Sequence, residues 1–117
     1  MGHDDRHRPN ADVAVCTGSS CRRRDEHVQL LERLGEANLR PLGFGCADIC
    51  TGPVLVVTPP DGSPVVLRRV RSPKARRDVV RLARGRALSE RLRRREVRGS
   101  KAAKAIRKVR RARAAKG

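Results

Sequence analysis

Short apolar runs punctuate the first 70 residues of the chain and predict strands. Residues 12–15 (DVAV), 54–59 (VLVVTP) and 64–70 (PVVLRRV) are rich in β-branched side chains, which is typical of strands packed in a core. The turn-forming residues 59–64 (PPDGSP) separate the last two runs and predict a β-hairpin. Residues 41–45 (PLGFG) predict a short strand or extended arm with glycine kinks.

Two other segments place apolar residues at helical spacing. The first runs from Arg22 to Leu39 and has acidic residues in its first turn, where the helix dipole favours negative charge. Its predicted inward face consists of Val28, Leu31 and Leu34, with Leu30 beside them. The second begins at Ser72 and Pro73, an N-cap residue followed by proline at the first helical position. Its predicted apolar stripe consists of Ala75, Val79, Leu82 and Ala83.

The order of these elements is strand, helix, strand, hairpin and helix. A crossover through the first helix makes the first two strands parallel, and the hairpin then lies antiparallel beside them. We therefore predict an α/β fold, a thioredoxin-like two-layer sandwich with a mixed sheet of about four strands and two helices. Other α/β topologies share this order of elements.

The segment 86–117 differs from the rest of the chain. It is rich in Ala, Arg, Lys and Leu, which favour helix, but a Gly-Ser pair interrupts it and large apolar residues are few. Those residues are Leu88, Leu92, Val97, Ile106 and Val109. A segment with so little to bury is expected to be solvent-exposed, helical or disordered. We therefore divide the chain into a disordered tail (1–10), a compact domain (11–86) and a basic extension (87–117).

Charge is divided unevenly along the 117 residues. Residues 1–60 carry seven Arg against eight acidic residues, a net charge of −1. Residues 61–117 carry 22 Lys and Arg against four acidic residues, a net charge of +18, so that the whole chain has +17. This excess predicts either a solvated basic face or a surface for an anionic partner. The candidate partners are an acidic redox partner protein and, through residues 87–117, the phosphate backbone of a nucleic acid. Base recognition is not expected, because that segment has no aromatic residues for base stacking.

No apolar run approaches the roughly 18 residues of a membrane-spanning helix. The N-terminal residues (MGHDDRHRPNAD) are polar and lack the apolar core of a secretory signal. We therefore predict a cytoplasmic protein with no membrane span. Because thiols are kept reduced in the cytoplasm, cysteines there indicate metal binding or catalysis before structural disulfides.

The four cysteines form two pairs. Four residues separate Cys16 from Cys21, and three separate Cys46 from Cys50. Thiolates suit either an iron–sulfur cluster or zinc. The gaps differ from the C-x-x-C knuckle of many zinc sites, and the small residues between the cysteines allow backbone N–H groups to approach a [2Fe–2S] cluster. Thiol–disulfide chemistry is disfavoured because neither pair has C-x-x-C spacing, and inert thiols are the remaining alternative.

The sequence CTGSSC after the first strand, followed later by CADIC and TGPVLVV, resembles the thioredoxin-like [2Fe–2S] ferredoxins. That family includes free bacterial ferredoxins of this fold and the cluster domain of the small flavin-adjacent subunit of respiratory complex I. The resemblance covers residues 11–86, including the hairpin and the helix after it. It implies that Cys16 and Cys21 hold one iron of the cluster and that Cys46 and Cys50 hold the other.

The resemblance also implies one-electron transfer, a carrier rather than an enzyme, and a homodimer. Asp48 stands where many members of the family have glycine, and a carboxylate there would disfavour reduction of the cluster. His3, His7 and His27 are expected at the surface, because four cysteines suffice as ligands. The alternatives to a ferredoxin are a nucleic-acid-binding protein with a structural or redox-sensing cluster, and a zinc-stabilised interaction module.

Overall fold

A computed structural model describes residues 12–18, 25–47, 49, 52–60 and 62–116 of the chain. Its elements, in chain order, are β1 (Asp12–Val15), α1 (Asp25–Glu36), β2 (Leu42–Gly43), β3 (Leu55–Thr58), β4 (Val65–Leu67), α2 (Pro73–Ala83), α3 (Glu90–Arg93), β5 (Glu96–Val97) and α4 (Ser100–Lys116). The first six elements follow the predicted order of strand, helix, strand, hairpin and helix. The basic segment forms the other three.

The strands form one open sheet in the order β2-β1-β3-β4-β5. β1 and β2 are parallel, and each of the other neighbouring pairs is antiparallel. The predictions of an α/β fold, a mixed sheet, a parallel first pair and an antiparallel hairpin are therefore confirmed. The sheet has one strand more than predicted, because Val97 and Glu96 of β5 pair with Val66 and Leu67 of β4.

One face of the sheet packs against α1 and α2. Side chains alternate along a strand, so every second strand residue faces these helices. The strand residues in this first cluster are Val13, Val15, Leu55, Val57 and Leu67. α2 begins as predicted, with Pro73 in its first turn and the Ser72 hydroxyl accepting a hydrogen bond from the N–H of Ala75 (3.1 Å). The predicted apolar stripe of α2 is buried throughout: Ala75, Val79, Leu82 and Ala83.

The buried face of α1 differs from the prediction. His27, Leu30 and Leu34 are buried, whereas Val28 is 51% exposed. Val28 lies about 160° around the helix from Leu30, so a helix that buries Leu30 fully turns Val28 outward. His27 occupies the inward position instead, and the prediction that this histidine lies at the surface is wrong.

The other face of the sheet is covered by α4. The strand residues in this second cluster are Ala14, Val56 and Val66. From α4, Ala105 is fully buried, and Ala102 and Val109 are 8% and 7% exposed. The structure therefore differs from the prediction of a solvent-exposed extension. A count of large apolar residues misses this contact because two of the three inward residues are alanines, which let the helix approach the sheet closely.

α4 is the longest helix of the described residues, and its outward side chains are Lys, Arg and Ala. At its far end, Arg113 forms an ion pair with Asp12 at the start of β1 (3.3 Å). Within the described ranges, no helix is long and apolar enough to cross a membrane.

A buried carboxylate joins the basic segment to α2. Asp78 is 5% exposed, and its Oδ2 accepts hydrogen bonds from the hydroxyl of Ser89 (2.8 Å) and the guanidinium of Arg91 (3.0 Å). Burial raises the pKa of Asp78, but the two hydrogen bonds and the charges of Arg91 and Arg77 lower it by more, so the pKa lies below its usual value of 3.8. The ionised carboxylate is therefore stabilised in the folded protein.

Replacement of Asp78 tests this contribution through its pH dependence. A lowered folded-state pKa means that Asp78 stabilises the fold above its unfolded value of 3.8 and that this stabilisation is lost as the pH falls through the folded-state pKa. We expect Asp78→Asn to lower the free energy of unfolding by about 1–3 kcal/mol at pH 7 and by less at about pH 3. Urea unfolding at both pH values measures this, with the exposed Asp25→Asn as the control. An equal loss at the two pH values would contradict the assignment.

The packing of α4 is tested by placing a charge on its inward or outward side. Ala105→Glu buries a carboxylate against the sheet and should lower the free energy of unfolding by about 2–4 kcal/mol. Ala103→Glu adds the same side chain at an exposed position of the same helix and should change it by less than about 0.5 kcal/mol. Urea unfolding of both variants provides the comparison, and equal midpoints would show that α4 does not cover the sheet in solution.

Candidate metal centre

The segments that carry Cys16 and Cys46 leave the same edge of the sheet. β1 ends at Val15 and β2 ends at Gly43, and these two residues are partners in the parallel register. The carboxyl ends of neighbouring parallel strands meet at one edge, so the residues that follow them begin side by side. We call this the cysteine edge, made up of residues 16–18 and 44–47.

Three hydrogen bonds join the two segments beyond the strands. The N–H of Phe44 donates to the carbonyl of Val15 (3.2 Å), and the N–H of Thr17 donates to the carbonyl of Gly45 (3.0 Å). In return, the N–H of Gly45 donates to the hydroxyl oxygen of Thr17 (2.9 Å). Gly45 has a φ of +84°, a left-handed conformation that favours glycine. The cysteine edge is therefore held by main-chain geometry on both sides.

Gly18 lies directly against Cys46. A Cβ atom added to Gly18 would lie 3.2 Å from the Cβ and 3.3 Å from the Sγ of Cys46. These distances are tighter than ordinary carbon and sulfur contacts, so a larger residue at position 18 would displace Cys46. Gly18 belongs to the loop between Cys16 and Cys21. The contact thus brings a residue that stands between the first two cysteines in sequence against Cys46, a cysteine of the second pair.

The two described cysteines have different surroundings. Cys16 is 2% exposed, and its N–H donates to the carbonyl of Val54 (2.9 Å). It packs in the cluster that also contains Phe44 and Ala47. Cys46 is exposed. Cys16 therefore belongs to the protein interior and Cys46 to the surface of the same edge.

Two cationic side chains hold the segment that contains the second cysteine pair. The ammonium of Lys108, on α4, donates to the carbonyl of Cys46 (2.6 Å). The Nε of Arg71, just before α2, donates to the carbonyl of Gly52 (3.0 Å). Neither residue was predicted, because the contacts span 62 and 19 residues of sequence and carry no local signal. They place two positive charges beside Cys46 and Gly52.

Part of the predicted ligand set lies outside the described residues. Those ligands are Cys21 and Cys50, and Asp48, His3 and His7 also lie outside the described residues. No group of three or more His, Cys, Asp or Glu side chains that could hold a metal ion occurs among the described residues, which include two of the four cysteines. The described half of the set is compatible with a thiolate site, because Gly18 has no side chain to crowd Cys46 and Cys16 follows β1 at the same edge of the sheet.

The link between the two segments is tested by Thr17→Val, which removes the acceptor for the N–H of Gly45. Because that amide then lacks its partner, we expect its hydrogen exchange to accelerate by about tenfold and the free energy of unfolding to fall by about 1–2 kcal/mol. Thr58→Val, at the end of β3, is the matched control and should leave Gly45 exchange unchanged. Amide exchange followed by NMR gives both values, and protection of Gly45 in Thr17→Val would refute the role of the hydroxyl.

No model of a known protein family, no curated protein and no solved structure matches this chain. The resemblance to the thioredoxin-like [2Fe–2S] ferredoxins therefore rests on the sequence motifs alone. What the fold adds is the meeting of the segments around Cys16 and Cys46 at one edge of a mixed sheet. This edge is the candidate functional site of the chain.

Proposed function

We propose that the protein is a one-electron carrier that binds a single [2Fe–2S] cluster through Cys16, Cys21, Cys46 and Cys50. The observation that carries this proposal is the contact of Gly18 with Cys46. Cys16 and Cys21 flank Gly18 in sequence, and Cys50 lies four residues after Cys46. This contact supports the proposal because it joins a residue between the first two cysteines to a cysteine of the second pair.

The pairing and spacing of the cysteines favour a diiron cluster over a single ion. Each iron of a [2Fe–2S] cluster takes two thiolates, which matches two cysteine pairs supplied by two loops. Soft thiolate donors also suit zinc, so the donor set by itself leaves both metals open. The longer gaps within the pairs, with small residues between the cysteines, favour the larger inorganic core.

The fold supports the finer assignment to a thioredoxin-like domain. That plan requires a parallel first pair of strands linked through a helix, with an antiparallel hairpin beside it. β1, α1 and β2 form the first part, and β3 and β4 form the second. In the resemblance, the cysteines follow the first strand and precede the hairpin. Cys16 and Cys46 occupy those places here.

The chain's own residues would set the conditions for electron exchange. When bound, the cluster takes up and releases one electron. Cys16 would hold its iron from the buried side of the edge, and Cys46 would supply a ligand at the surface, where a partner can approach. The charges of Lys108 and Arg71 lie beside the second segment and favour the more negative, reduced state. A carboxylate at Asp48 would act in the opposite direction.

The other predictions attached to this function stay predictions. They are a cytoplasmic location, a homodimer, an acidic or nucleic-acid partner and the absence of enzymatic activity. A zinc-stabilised interaction module remains the alternative from another class. It uses the same cysteines, so metal analysis separates the two.

Purification without oxygen, followed by metal analysis and a visible spectrum, tests the proposal. We expect two irons and two acid-labile sulfides per chain and a red-brown colour that bleaches with dithionite. Serine at any one of the four cysteines should lower the iron content several-fold, because one iron of the cluster then loses one of its two thiolates. The double variant His3→Ser/His7→Ser is the control and should retain the full content. A colourless protein with one zinc per chain would refute the carrier function and support the zinc module.

A further inference from the structure

α4 presents an outward side made of cations. The side chains that form it are Lys101, Lys104, Arg107, Lys108, Arg110 and Arg111, which we call the basic face. The helix contains no acidic residue along its 17 positions. Its inward side carries the alanines and valine that pack on the sheet, so the cations cannot turn inward. The face is therefore fixed in orientation by the core beneath it.

The charges of the basic face repel one another. Arg107 and Arg111 are four residues apart, as are Lys104 and Lys108, a spacing that places like charges side by side on a helix. Among the described residues, Lys101, Arg107 and Arg111 have no ion-pair partner. An anion laid along the helix would relieve this repulsion. Lys101, Arg107 and Arg111 thus keep positive charges that suit an anionic ligand.

The basic face borders the candidate metal centre. Lys108 belongs to it and donates through its ammonium to the carbonyl of Cys46 at 2.6 Å. Cys46 itself is exposed. A macromolecule that covers the basic face therefore also comes to lie beside the exposed cysteine. The arginines of α2 do not belong to this surface, because α2 packs on the opposite face of the sheet from α4.

The size and composition of the basic face suit a transient protein contact. A helix of 17 residues is about 25 Å long, and its outward half offers about 400 Å². Weak electron-transfer complexes bury areas of this order on each partner. The short side chains of exposed Ala103 and Ala114 leave shallow apolar surface between the cations, where apolar atoms of a partner can make contact. The face has no aromatic side chain for stacking on bases.

We infer that the basic face is the docking surface for an acidic protein that exchanges electrons with the metal centre. This inference rests on the proposed carrier function. Complementary charge steers encounter more than it adds affinity, so the face should raise the rate at which an anionic partner reaches Cys46. It should do so most strongly at low ionic strength.

A binding experiment that needs no cluster tests the surface first. A fluorescein-labelled poly-L-glutamate peptide serves as the probe in fluorescence anisotropy. The triple variant Lys101→Glu/Arg107→Glu/Arg111→Glu should weaken its binding by at least about tenfold at about 50 mM salt. The matched control, Arg81→Glu/Arg86→Glu/Arg93→Glu, changes the net charge equally at exposed positions beyond the other face of the sheet. It should weaken binding by less than about threefold, and equal losses would overturn the inference.

Electron transfer tests whether the surface serves the metal centre. In stopped flow, one electron passes from the dithionite-reduced protein to ferricyanide, whose Fe(III) becomes Fe(II), and no proton moves. The α4 variant should slow this reaction by about tenfold at low salt and accelerate oxidation by the cation tris(phenanthroline)cobalt(III). The control variant should change each rate by less than about threefold. Rates that respond equally to both variants would show that net charge alone acts.

The two proposals fail in different ways. A protein without iron and sulfide refutes the carrier function, while the anisotropy comparison of the two triple variants remains valid. A protein with its cluster but without any difference between the variants refutes the docking surface alone. A random-sequence DNA duplex is the second binding probe, at about 200 mM salt. If it binds more tightly than poly-L-glutamate and loses that binding in the α4 variant, the face belongs to nucleic acid and the inference is overturned.

Discussion

The parallel pairing of β1 with β2 is the constraint on which the rest of this structure depends. Parallel neighbours end at the same edge of a sheet. The register of Val15 with Gly43 therefore also decides where the segments that carry Cys16 and Cys46 begin. The hydrogen bonds between Thr17 and Gly45 extend that register into the loops. A shift of one residue would turn the core face of a strand outward and separate the two cysteine segments at the same time. Stability and site assembly therefore share one interaction.

The sheet is buried on both faces, and this compensates for a composition with a single Phe and neither Tyr nor Trp. α1 and α2 cover one face with leucines and valines, and α4 covers the other with alanines and Val109. Alanine contributes little buried area per residue, but it lets a helix lie close to the strands. The same helix can then carry its Lys and Arg side chains on its outward side. Core and surface are thus built from one segment whose two sides have opposite tasks.

Local patterns predicted what local interactions decide. The Ser72 cap, the stripe of α2, the hairpin and the parallel crossover all follow from residues close together in sequence or from a chirality rule, and the structure contains them. The burial of His27 in place of Val28 depends on how far α1 is rotated on the sheet, which the helix itself does not determine. The burial of α4 depends on a sheet face that only the folded domain provides. Lys108 and Arg71 meet their acceptors across long sequence separations, so no motif marks them. The cysteine pairs could be chosen as a site from spacing, while the neighbours that shape their surroundings could not.

The bond between Lys108 and the carbonyl of Cys46 also has a consequence for the order of events during synthesis. Lys108 follows Cys46 by 62 residues, so at about 5–20 residues per second it is added about 3–12 s later. During that interval the remaining strands and the second long helix are added, while the segment of the second cysteine pair still lacks one of its two cationic anchors. The geometry of the cysteine edge is therefore completed only after α4 has been synthesised. Delivery of any metal to this edge before α4 emerges would meet an unfinished binding site.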